Sequence, residues 1–189
     1  MWPVGKRMKG QSTNTPSVRL PFMHYAEARP ALSMTNKQLV SYFHPDLFIP
    51  DLKAGNKIGA INEMVAHLVA AGRIRDSRIV LEALKTREKL GSTGIGKGIA
   101  VPHSRSTVTN SLTLLMARST GGVEYEAIDG KPVHLFFMIL APHQEKTSEY
   151  LPLLGKLVEV TKDAALRKKL LKVPDIPGVI EILEKAKSK

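Results

Sequence analysis

From Asn56 onward, apolar side chains recur at helical spacing, Ile58, Ile61, Met64, Val65, Leu68 and Val69, until Gly72 stops the run. That period marks one face of an amphipathic helix packed on a core. Asp76 then caps a second helix carrying Ile79, Val80, Ala83 and Leu84 and ending at Arg87. Ahead of both, Thr35 and Asn36 are candidate caps for a short helix with Leu39, Val40 and Phe43 that Pro45 ends, and residues 47–52 read as a brief extended run. After a glycine-rich passage at 91–104 the pattern changes to short apolar runs at 112–117, 123–128 and 133–140, which predict strands. Asp129-Gly130 separates the last two as a hairpin-type turn. Helical spacing returns over 147–160, with Leu151, Leu154, Leu157 and Val158, and again over 164–171 and 178–185. Helices on both sides of a strand block, with hairpin and crossover connections together, predict a layered α/β domain with a mixed sheet.

Composition narrows the function classes. The 189 residues contain no cysteine, which removes disulfides, thiolate metal sites and a cysteine nucleophile. No apolar run approaches the roughly 20 residues of a membrane-spanning helix, the nearest being residues 133–142, so no membrane insertion is expected and the reading places the protein in the cytoplasm. The formal net charge is +11, yet aromatic residues are 5% and the basic residues follow no recognition motif, so no specific nucleic-acid partner is expected. Residues 1–33 differ from the rest: Pro, Gly, Ser, Thr and Asn are frequent, and Lys6, Arg7, Lys9, Arg19 and Arg29 face a single acid, Glu27. They read as a disordered basic tail, with Met34 as an alternative start, and 34–189 as one domain.

The candidate chemistry sits in the glycine-rich passage. Gly91, Gly96 and Lys97 meet the spacing of a nucleotide-binding loop, but Gly98 occupies the position where Ser or Thr must hold magnesium, and the passage follows a helix instead of a strand. The passage then delivers Ile99-Ala100-Val101-Pro102-His103, an apolar step that ends in a histidine on a rigid support. Neutral imidazole can attack phosphorus near neutral pH and pass the group on, so His103 stands either as a loop histidine or as a nucleophile. The other histidines, His24, His44, His67, His134 and His143, show no metal-ligand spacing, and no metal or other cofactor is expected.

The run Thr93-Gly-Ile-Gly-Lys-Gly-Ile-Ala-Val-Pro-His103 resembles the active-site signature of the fructose- and mannitol-type (type-2) IIA domains of the bacterial phosphotransferase system. The helix ending Leu-Glu-Ala-Leu-Lys-Thr-Arg-Glu-Lys-Leu-Gly-Ser-Thr and the segments 127–133 and 141–142 extend the resemblance, which covers residues 34–188. It implies a three-layer α/β/α sandwich and a phosphoryl relay through Nε2 of His103, with a histidine phosphocarrier protein as donor. It further implies that Arg87, sixteen residues earlier, stabilises the phosphoryl oxygens with its guanidinium fork. Two positions depart from the pattern. Ser104 stands where the family has glycine or another small residue, and its hydroxyl is a candidate donor to a phosphoryl oxygen. Tyr150, in Tyr-Leu-Pro-Leu-Leu, stands where the family carries a second histidine.

Residues 86–103 look most like the nitrogen-regulatory branch, in which phosphorylation would switch binding to a regulated partner protein. The alternatives are a IIA component that passes phosphate to a IIB cysteine for sugar uptake, and a binding module whose histidine is not phosphorylated.

Overall fold

The computed structural model describes residues 34–144 and 147–186. The expectation for residues 1–33 lies outside the described residues. A short helix α1 (Asn36–Val40) opens on a capping box: the Thr35 side chain accepts from the Gln38 backbone N–H while the Gln38 side chain accepts from that of Thr35. A single 3-10 turn at Pro45–Leu47 leads into strand β1 (Phe48–Ile49). Helices α2 (Lys57–Ala70) and α3 (Ser77–Lys89) follow, with Asn56 and Asp76 as their side-chain caps. Of the apolar positions expected to face the core, Ile58, Val69 and Ile79 are exposed, because each lies at the margin of the stripe that Ile61, Met64, Val65, Leu68, Val80 and Leu84 bury.

The glycine-rich passage is structured. Strand β2 (Gly94–Gly96) pairs antiparallel with β3 (Ile99–Ala100) across Lys97 and Gly98, whose φ values of 57° and 75° give the left-handed pair that a tight two-residue hairpin needs. Gly91, Gly96 and Lys97 therefore build a hairpin and its approach. Pro102 interrupts the chain before β4 (His103–Ser106), so His103 opens a strand instead of trailing one.

Strand β5 (Thr113–Val123) runs longer than expected and pairs antiparallel with β6 (Val133–Pro142) as far as Val123 opposite Val133. The strand predicted over 123–128 does not form. Val123, Tyr125 and Ala127 do alternate inward, but the chain leaves β6 after Val123, exchanges backbone hydrogen bonds around Asn56 instead, and turns at Glu126 with φ of 54°. Asp129-Gly130 is part of the long loop that results.

The sheet runs β1-β5-β6-β3-β2, with β4 also on β6. Its pairings are parallel for β1 with β5 and for β3 and β4 with β6, so the sheet is mixed. Strand β6 is apolar on both faces because it is covered on both. Leu135, Phe137 and Ile139 join a core with α1, α4 (Tyr150–Val160), α5 (Ala164–Leu170) and α6 (Ile176–Glu184). Phe136, Met138 and Leu140 join the core with α2 and α3. Alternation along one strand thus generates the three layers expected. Helix α4 begins later than predicted and buries Tyr150, Leu153, Leu157 and Val160, leaving Leu151 exposed. No helix among the described residues is long and apolar enough to cross a membrane.

Candidate functional site

The last turn of α3 and the first residue of β4 bring Arg87 and His103 together across sixteen residues of chain. Arg87 Nε donates to His103 Nε2 at 3.0 Å, and Arg87 Nη1 donates to the Gly91 carbonyl at 2.9 Å. On the other side of the ring, His103 Nδ1 meets the Val101 carbonyl at 2.7 Å. A carbonyl only accepts and a guanidinium only donates, so the proton sits on Nδ1 and the Nε2 lone pair faces Arg87. Protonation of Nε2 would set two donors against each other beside a fixed positive charge. Burial of the ring lowers its pKa below the ordinary 6.5, and the charge of Arg87 adds to that shift against the opposing Val101 hydrogen bond and Glu88 charge. The half-buried imidazole is thus oriented in one tautomer, biased toward its neutral form, and presents its lone pair at Nε2.

Strand geometry sorts the neighbours. His103 and Arg105 share one face of β4, whereas Ser104 and Ser106 lie on the other. The register sets Ser104 beside Leu140, which packs with the α2/α3 core. The Ser104 hydroxyl is buried there with no hydrogen-bond partner. The expected donation from this hydroxyl to a phosphoryl oxygen on His103 therefore has no geometric basis, because successive strand side chains point apart.

Tyr150 does come to the site. Its ring centre lies 6.2 Å from that of His103, tilted by 59°. The Arg105 guanidinium stacks 4.7 Å over the same ring while Nη1 donates to the Pro142 carbonyl at 3.2 Å. Arg105 escaped the sequence reading, although its two-residue spacing from His103 would have signalled it once a strand was assigned there. Two apolar side chains flank the site in the chain: Leu90, 83% exposed, caps α3 just after Arg87, and exposed Leu151 follows Tyr150.

A second group missed by sequence reasoning lies behind Arg87. The Glu88 carboxylate, 7% exposed, accepts from the Thr93 backbone N–H and hydroxyl and from Tyr125 Oη at 3.3 Å, and pairs with Lys57 Nζ at 3.5 Å. Burial and the Glu88 charge push the Tyr125 phenol far up, so it stays a donor. Nothing in the local pattern marks Glu88, since Tyr125 and Lys57 are distant in the chain. Among the described residues no three His, Asp or Glu side chains converge as a metal site would require.

The same layered fold recurs in known proteins. A nitrogen-regulatory IIA protein from Neisseria meningitidis superposes with a TM-score of 0.70 at 32% identity, covering 77% of this chain and 98% of that one. The nitrogen regulatory protein of Bradyrhizobium diazoefficiens is 32% identical over 139 residues, 74% of this chain and 90% of its own length. The fructose-specific EIIABC component of Bacillus subtilis is 35% identical over 133 residues, 70% of this chain but only 21% of that longer protein. A profile for the EIIA 2 domain of the phosphoenolpyruvate-dependent sugar phosphotransferase system matches residues 41–186, a span that holds Arg87, the hairpin and His103. With fold, relatives and profile in agreement over the same span, the chain belongs to the EIIA 2 family of the phosphoenolpyruvate-dependent sugar phosphotransferase system.

Proposed function

We propose that the protein is a phosphoryl relay that accepts a phosphoryl group on His103 Nε2 from a histidine phosphocarrier protein and acts in regulation, as its nitrogen-regulatory relatives are named for doing. The observation that carries this reading is the clamp on the imidazole, Val101 at Nδ1 and Arg87 at Nε2. In the transfer, the Nε2 lone pair forms the new P–N bond as the P–N bond to the donor's histidine breaks. The proton stays on Nδ1, donated in a hydrogen bond to the Val101 carbonyl, which supports the charge arriving on the ring. Arg87 releases the lone pair and turns its N–H groups to the phosphoryl oxygens, which carry the charge of a loose transition state. Arg105, on the same face of β4, adds a second positive charge beside the ring. The phosphohistidine brings up to about two negative charges to a surface flanked by Leu90 and Leu151, enough to change which partner docks there.

A transport role is the second reading, motivated by the 35% identity to a fructose-specific component. In that case the group passes on to a IIB cysteine, its P–N bond breaking as a P–S bond forms.

Incubation with a phosphorylated histidine phosphocarrier, followed by intact-mass measurement, tests the relay. Wild type should gain one acid-labile phosphoryl group, His103→Ala none, and Arg87→Gln should be labelled about 10²- to 10³-fold more slowly. An unlabelled, folded wild type with a competent donor would overturn the assignment and leave the binding-module reading. Subsequent transfer to a IIB cysteine would select transport over regulation.

A further inference from the structure

We infer that Glu88 is the positioning residue of this phosphoryl site, setting both the tautomer of His103 and the reach of Arg87 through one buried carboxylate; the inference rests on the relay reading above. Arg87 and Glu88 are neighbours on the last turn of α3. Arg87 reaches His103, while Glu88 turns to Thr93 and the buried Tyr125 phenol. Four donors converge on the Glu88 carboxylate: the Thr93 N–H, the Thr93 hydroxyl, the Tyr125 hydroxyl and the Lys57 ammonium. A lone buried carboxylate would be costly, and one so fully matched holds its partners in a single arrangement.

Two paths leave that anchor, one through hydrogen bonds and one along the chain. Along the first, the Thr93 carbonyl accepts from the Val101 N–H at 3.0 Å, and the Val101 carbonyl accepts from His103 Nδ1–H at 2.7 Å. The carbonyl that fixes the imidazole tautomer therefore belongs to a residue held by Thr93, which Glu88 holds. Along the second, Gly91, two residues before Thr93, presents the carbonyl that receives Arg87 Nη1 at 2.9 Å. The turn 91–93 thus sets the direction of the guanidinium as well as the seat of the ring. Lys57, from the start of α2, and Tyr125, from the loop after β5, extend the anchor to two more segments. Lys57 also pairs with Glu126 at 2.7 Å. Packing alone does not need a carboxylate at position 88, since glutamine has the same shape. What glutamine lacks is the capacity to accept all four donors at once.

The test compares wild type with Glu88→Gln and, as a second variant, Thr93→Val, which keeps the volume and removes one hydroxyl contact. Two readouts are taken on the intact chain: the rate of phosphoryl acceptance from the phosphorylated carrier, and the imidazole ¹⁵N spectrum of His103. Wild type should show the single Nδ1–H tautomer. Glu88→Gln, folded by near-ultraviolet circular dichroism, should show mixed tautomers and acceptance slowed on the order of 10²-fold, the loss expected when a reacting group is misplaced by about 1 Å. Thr93→Val should move both readouts in the same direction by less, and it decides the matter if Glu88→Gln does not fold. A folded variant that keeps the wild-type rate and the single tautomer would overturn the role. Failure of the relay itself is distinguishable, because wild type would then remain unlabelled while its tautomer could still be read.

Discussion

In the proposed relay a single imidazole carries the chemistry, and its behaviour follows from two hydrogen bonds and burial. Because burial holds the His103 pKa below the ordinary 6.5, the acid limb of phosphoryl acceptance should fall below that value. Titration of the His103 ring protons by NMR and the pH dependence of the acceptance rate should report the same midpoint. The same shift has a consequence for stability. Between the ordinary value and the lowered one, the unfolded chain binds a proton that the folded chain does not. The stabilisation from keeping His103 neutral is therefore complete above about pH 6.5 and is lost as the pH falls through the folded pKa. Ser104 is the contrasting neighbour. Its buried hydroxyl has no partner and points away from the site, so Ser104→Ala should stabilise the fold by about 1 kcal/mol in urea unfolding and leave phosphoryl acceptance unchanged. A loss of acceptance in that variant would return the hydroxyl to the mechanism.

Elements matter here for what they aim. Helix α3 is seated by Val80 and Leu84, both fully buried, and its last turn then holds Arg87 over the edge of β4. Leu84→Ala should cost about 3 kcal/mol in chemical denaturation, with acceptance in the folded fraction reduced because the helix end that carries Arg87 loses its seat. Helix caps and stops were legible because each is a local event: Thr35 and Asp76 cap where expected, and Gly72 takes the left-handed conformation that ends α2. The face that α4 buries was not legible. Leu151, Leu154 and Val158 form one apolar stripe and Tyr150, Leu153, Leu157 and Val160 another, and only the sheet beneath selects the second. The same competition removed the strand expected at 123–128, where inward alternation survives but the backbone partners lie elsewhere.

At the scale of the molecule, one sheet divides two cores. Residues 34–189 have the composition of the folded domain, whereas residues 1–33 lack its apolar periodicity. Removal of residues 1–33 should accordingly leave the thermal unfolding midpoint and phosphoryl acceptance unchanged, measured by calorimetry and by intact mass. A lower midpoint would assign that segment a structural part. The net charge of +11 adds a long-range term, since a basic surface favours encounter with an acidic partner and phosphorylation of His103 reduces that attraction locally. That term weakens with added salt, whereas the clamp on the imidazole, made of short, partly buried hydrogen bonds, is screened far less.

The order and type of most elements and the layered α/β class were legible in the chain, because periodicity and caps are written in adjacent residues, and the Gly-Ile-Ala-Val-Pro-His run singled out His103 through its resemblance to a known signature. The same resemblance supplied Arg87 as well. What emerged only on folding is that Nδ1 of His103 holds its proton against Val101 while Nε2 faces Arg87, that Ser104 faces the other core, that Arg105 stacks on Tyr150, and that Glu88 lies behind Arg87. Each of those depends on where side chains from separate segments meet: Glu88 meets Tyr125 and Lys57 only once α2, α3 and the loop after β5 have packed on one sheet. Local pattern constrains the backbone of a segment, but hydrogen-bond geometry between distant segments exists only after the sheet and its two layers are assembled.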